Sequence, residues 1–150
     1  MKILRCIMLT MLSISSVFYA TSHTKSTGKP ATINHLLNIF KADNVTDLQS
    51  FVEKNPKFNW NEQYEHLPWS GETATPLIAA TYLGAVNCLT YLLNHNIGSI
   101  RNSWGAKSSH GFTASQYAQN PPNLTTAQMP FKNDIANKYT KIANLINKFK

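Results

Sequence analysis

The sequence predicts an all-α protein, built as a short stack of about three helical hairpins with extended loops between them. Three observations carry this. Apolar residues recur at spacings of three and four. Residues that start and stop helices punctuate those runs. A unit of two short helices joined by a tight turn comes back along the chain. The length of 150 residues allows one domain with a modest core and excludes a large multi-domain enzyme. Two cysteines exclude a disulfide-stapled mini-protein, and a hydrophobic content of 43% with 11% aromatics excludes a disordered tail.

The first element is a targeting segment over residues 1–22. Lys2 and Arg5 give a positive start, Ile7 to Ala20 an apolar run, and Thr21-Ser22 a polar exit. The run is short for a permanent membrane span. Cleavage after Ala20 leaves bulky Phe18 two places upstream; cleavage after Ser22 follows the small Ala20-Thr21-Ser22. An uncleaved anchor or a buried first helix is the alternative. Removing the segment also removes Lys2, Arg5 and Cys6, so the formal charge falls from +7 to +5 and Cys88 is left as the single thiol. One thiol forms no internal disulfide, so packing alone must hold the mature chain. Residues 23–31, polar and containing Gly28 and Pro30, read as a flexible lead-in. Ser26-Thr27-Gly28-Lys29 lacks the earlier glycine, the strand and the trailing hydroxyl of a phosphate loop.

The helical domain is expected over 32–150. Ile33, Leu36, Leu37 and Phe40 form one apolar face, which Asp43-Asn44 break. Leu48, Phe51 and Val52 form a second helix, capped by Asn44 or Thr46 and ended before Asn55-Pro56. Thr75-Pro76 opens a third helix with proline where its missing N–H costs nothing. Leu77, Ala79, Ala80 and Leu83 are its apolar residues, and Gly84 stops it. Val86 to Leu93 follows, with Cys88, Leu89, Leu92 and Leu93 inward. Asn94 to Gly98 should then lead into an extended stretch, Ser99 to Asn102. Gly111 to Ala118 starts another hairpin. Its second helix waits until 133–149, where Ile135, Tyr139, Ile142, Leu145, Ile146 and Phe149 make a long stripe. Pro121, Pro122 and Pro130 forbid helix in between.

The run TPLIAATYLGAVNCLTYLLNHNIGSI, Thr75 to Ile100, resembles an ankyrin repeat: a TPLH-like opening, a glycine turn, a V-x-x-LL helix and a glycine exit. It departs from that pattern at Ile78, where the family has histidine, and at Asn96-Ile97, where it has Gly-Ala. The histidine would tie the threonine of the box by a hydrogen bond. Weaker likenesses lie on either side, at 36–52 and 111–149. Leu36 to Leu77 is 41 residues and Thr75 to Thr113 is 38. Against a period near 33, these mark insertions in the connecting fingers. The resemblance implies a repeat solenoid with terminal caps. It also implies a protein partner on the concave face, at Tyr82, Ile78, Arg101, Trp104 and Phe112.

Signals for chemistry are few. There is no nucleophile elbow, no H-E-x-x-H and no paired-cysteine spacing. Glu62, Glu65, His66 and Glu72 gather in the first finger and could bind a metal or form an acid/base pair, giving a small secreted hydrolase or metal-binding protein; a solvated polar loop is the plainer reading. Cys88, on an inward face, reads as a small core residue. Recognition signals are better. The fingers hold Trp60, Tyr64, Trp69 and Trp104 with Arg101, and Trp, Tyr and Arg dominate interface energetics. Trp60 and Trp69 could equally cap the end of the stack; Trp104 reads as a binding residue. The lysines of the last helix, Lys132, Lys138, Lys141, Lys148 and Lys150, fit a solvated capping helix, with a membrane or nucleic-acid surface as the alternative. The expected protein is exported, periplasmic or secreted, a monomer without cofactor or metal, that binds a protein and not nucleic acid. It meets a membrane only through its signal segment.

Overall fold

The computed structural model describes residues 30–65, 73–121 and 132–150. The signal segment, most of the lead-in, His66, Trp69, Glu72 and residues 122–131 of the proline-rich insertion lie outside the described residues. Those described form six α-helices and one short 3-10 segment, with no strand among them. The helices are α1 (Pro30–Ala42), α2 (Val45–Lys54), α3 (Pro76–Tyr82), α4 (Val86–Asn94), α5 (Ala114–Gln119) and α6 (Lys132–Phe149); the 3-10 segment is Ile97–Ser103. Pro30 and Ala31 belong to α1, not to the lead-in, because proline suits the first turn of a helix.

The local signals act where the sequence places them. The Asn44 Oδ1 accepts the Thr46 and Asp47 N–H groups at 3.0 and 3.2 Å, so Asn44 is the cap of α2. Thr75 caps α3 through a bond from the Ile78 N–H at 3.4 Å, without the histidine of the usual box. Gly84 ends that hairpin helix with φ +69°, where a Cβ would be strained. Thr113 and Gln116 form a reciprocal capping box at the start of α5.

Packing follows a simple order. Each helix pairs with its hairpin mate: α1 with α2, α3 with α4, α5 with α6. The first helices touch in sequence, α1 to α3 to α5, and the second helices likewise, α2 to α4 to α6. Two rows of helices therefore face each other across one core. Leu36, Phe40, Leu48, Leu77, Leu89, Leu92, Ile142 and Ile146 are buried in it, and Cys88 is fully buried among them. Alanines 79, 80 and 85 let the α3 and α4 backbones approach closely.

The stretch expected to be extended after α4 is not. Asn96, Gly98 and Ser99 all take positive φ, and the chain coils into the kinked 3-10 segment. The cause lies in what must be buried. Coiling turns Ile100 and Ser103 inward, and the Asn96 side chain accepts the Arg101 N–H at 3.4 Å. Gly98 is required there, since a Cβ would collide with the Trp60 ring. The fingers lie side by side. The first closes on itself through one antiparallel bridge, Tyr64 to Ala74, and meets the second where the Ser109 N–H donates to the Thr73 carbonyl at 3.0 Å.

One contact couples hairpins that are distant in sequence. Asp43, at φ +50° in the α1–α2 turn, accepts the Asn87 N–H at 3.1 Å and the Cys88 N–H at 2.9 Å. The N-cap of α4 is Ala85, whose side chain can accept nothing, so Asp43 supplies the cap from the neighbouring hairpin. Asp43→Ala is expected to cost about 1–2 kcal/mol, with Asp43→Asn recovering part of the loss. Urea unfolding followed by circular dichroism measures this, and equal stability of the alanine variant and the parent would refute it.

Candidate functional site

The sequence-predicted residues separate into buried and accessible ones. Trp60 and Tyr64 are 3% and 6% exposed. With Phe51 and Phe58 they form an aromatic cluster. Phe58 and Trp60 meet edge to face with centroids at 4.9 Å, and Phe58 and Tyr64 stack at 5.2 Å. The Tyr64 hydroxyl donates to the Asn59 carbonyl at 2.8 Å, which satisfies its polar end inside the cluster. Asn61 fastens this finger to the 3-10 segment, donating to the Gly98 carbonyl at 3.1 Å and accepting from the Ser103 hydroxyl at 2.6 Å. These two aromatics are packing residues. Ile78 is fully buried on the inner side of α3 and presents no surface.

Tyr82, Arg101, Trp104 and Phe112 remain accessible in whole or part. Among the described residues Phe112 is the one large apolar side chain left exposed, at 47%. It stands at the end of an aromatic ladder: Phe112 meets Tyr117 at 5.5 Å and Tyr117 meets Tyr82 at 5.4 Å, both edge to face. The ladder is anchored from behind. The Tyr117 and Ser108 hydroxyls are 3.1 Å apart, and the Tyr139 hydroxyl of α6 donates to the Tyr82 carbonyl. The Ser108 N–H donates to the Phe112 carbonyl at 2.9 Å, which fixes the finger tip.

Arg101 and Trp104 sit on the 3-10 segment. The Arg101 Nε and Nη2 donate to the Leu93 carbonyl near the end of α4, and its guanidinium carbon lies 4.6 Å from the centre of the Phe149 ring. A cation there also meets the negative end of the helix dipole. Trp104 closes the segment, partly buried against the core. Sequence reasoning missed both partners of this arrangement. The i+8 reach from Arg101 to Leu93 has no periodic signature, and Phe149 read as one more stripe residue.

No group of three or more His, Cys, Asp or Glu is placed to hold a metal among the described residues. Of the acidic finger cluster, Glu62 is half-buried and Glu65 exposed, while His66 and Glu72 lie outside the described residues. Burial, then the Asp43 carboxylate beside it, push the Cys88 thiol from an ordinary 9.0 up to about 12, which suits a packing residue and not a nucleophile. An apolar recess between Leu36, Phe40, Tyr64, Ala74 and Pro76 has room for about one water. No helix of the described residues is long and apolar enough to cross a membrane. No family model, no curated protein and no solved structure matches the chain.

Two expectations follow. Trp60→Ala should cost about 3–5 kcal/mol, as large-to-small changes in cores do; a midpoint within error of the parent in thermal unfolding would return Trp60 to the surface. Burial also raises the Tyr64 and Tyr139 hydroxyls from 10.0 to about 12, with Glu62 adding to the first. For these and Cys88 the folded value exceeds the unfolded one, so their stabilisation is full below pH 9.0 and is lost as pH rises towards 12. Denaturation midpoints taken from neutral to alkaline pH should therefore fall. Flat midpoints would contradict the burial of these groups.

Proposed function

We propose that this chain is a small exported repeat protein of ankyrin type whose work is to bind another protein. The two-row order of hairpins, the adjacent fingers and the Thr75–Ile100 pattern support the ankyrin reading. The N-terminal apolar run supports export, to the periplasm or beyond the cell. The observation that carries the binding reading is Phe112. A large aromatic side chain held out at a finger tip, on a backbone fixed by hydrogen bonds, is the arrangement of an interface anchor. Tyr82 and Tyr117 widen that anchor along the first-helix row, and Trp104 with Arg101 extend the accessible set along the 3-10 segment. The partner-binding set then narrows to Phe112, Tyr82, Trp104 and Arg101. The chain needs no cofactor for this work, and it acts as a monomer.

The test is capture of a partner by cross-linking the tagged mature protein in its native cell. Phe112→Ala should weaken capture by about thirtyfold, the scale of an interface anchor worth ~2 kcal/mol. Its melting temperature should stay within the range of surface substitutions, about 0.5 kcal/mol in stability. Undiminished capture by both Phe112→Ala and Trp104→Ala would defeat the proposal.

A further inference from the structure

Charge divides unevenly along the chain. Six of its seven Asp and Glu residues precede Thr73. From Thr73 to Lys150 Asp134 stands against Arg101 and six lysines. Part of this positive excess converges at one place. The Arg101 guanidinium and the Lys148 ammonium both approach the Phe149 ring, at 4.6 and 5.2 Å from its centre. Lys141 lies seven residues before Lys148, two helical turns away on the same side of α6, and both are exposed. Trp104 follows in the same segment, its backbone N–H donating to the Arg101 carbonyl at 3.3 Å. The result is a corner where two cations meet the Phe149 ring, with Lys141 two turns along α6 and the partly exposed Trp104 three residues along the chain from Arg101.

We propose that this corner docks a segment of the partner protein that alternates acidic and apolar residues. The inference rests on the binding-module reading and adds the partner's chemistry to it. Carboxylates would meet Lys141, Lys148 and the Nη1 group of Arg101, which makes no hydrogen bond to a described residue. Apolar side chains would lie against Trp104 and Phe149. A lipid surface suits the corner less well. The apolar stripe of α6 is turned into the core at Tyr139, Ile142 and Ile146, leaving no row of side chains to insert. A nucleic acid suits it less well too, because the Arg101 fork is spent on the Leu93 carbonyl and cannot grip a phosphate with two parallel bonds.

The probe is a short fluorescein-labelled peptide of alternating Glu-Leu and Glu-Phe pairs, followed by fluorescence anisotropy with the mature chain. Binding should weaken as salt rises. It should weaken about tenfold in the double variant Lys141→Gln/Lys148→Gln, whose exposed positions leave the fold alone. No binding of the peptide, or equal binding by the double variant, overturns the inference. So does tighter binding of duplex DNA or of vesicles rich in phosphatidylglycerol. Capture in the native cell separates this idea from the one beneath it. If Phe112→Ala abolishes capture and the lysine variant does not, the acidic-partner inference falls and the binding reading stands. Loss of capture in the lysine variant supports both.

Discussion

The stack depends on one carboxylate. Asp43 sits in the turn of the first hairpin yet completes the second, accepting two backbone N–H groups at the start of α4. The reason is steric. Where α3 turns into α4 the chain needs a small residue, and the fully buried Ala85 meets that need but leaves the helix without a side-chain cap. The missing acceptor has to come from elsewhere, and an ionised one makes bonds about twice as strong as a neutral one. It also sits at the positive end of a nine-residue helix, where a negative charge is favoured. A hairpin that borrows its cap from its neighbour is less stable without it, by about 1–2 kcal/mol. Cooperativity between units is thus built into a single turn.

The aromatic finger is the second such bond between units. Trp60 needs Gly98, Asn61 needs the Gly98 carbonyl and the Ser103 hydroxyl, so one finger meets one 3-10 segment at two neighbouring points. The finger following the first hairpin is therefore locked to the segment following the second. Its aromatics are consumed in that lock. Loop position alone does not make a tryptophan a binding residue; what decides is whether a neighbouring backbone leaves space for it, as Gly98 does here.

This explains which parts could be read from the chain. Helix ends are local events, so Asn44, Thr75 and Gly84 announced them within a few residues. Apolar spacing likewise marked Cys88, Leu89, Leu92 and Leu93 as inward. The failures are all non-local. Asp43 looked like a helix breaker because its partners are 44 and 45 residues away. The coil at Ile97–Ser103 looked extended because what it serves, the burial of Ile100 and Ser103 and the close approach of Gly98 to Trp60, involves residues far away in sequence. Ile78, at the position where the resembled pattern has a polar histidine, was assigned to a concave surface. It is fully buried, and the Thr75 cap stands without it.

Phe112 differs from the other loop aromatics in how its backbone is held. Gly111 turns the chain with φ +83°, and the Ser108 N–H binds the Phe112 carbonyl on one side. On the other side the Thr113–Gln116 capping box fixes the very next residue as the start of α5. The backbone that carries the ring is pinned between two turns. Tyr117, engaged with Tyr82 and Ser108, meets the ring edge to face from the inner side of the finger's helix row. An apolar ring kept in water costs roughly 25 cal/mol for each Å² left uncovered. The fold spends backbone hydrogen bonds to hold it there. That expenditure separates Phe112 from Trp60, whose burial the same kind of hydrogen bonding secures.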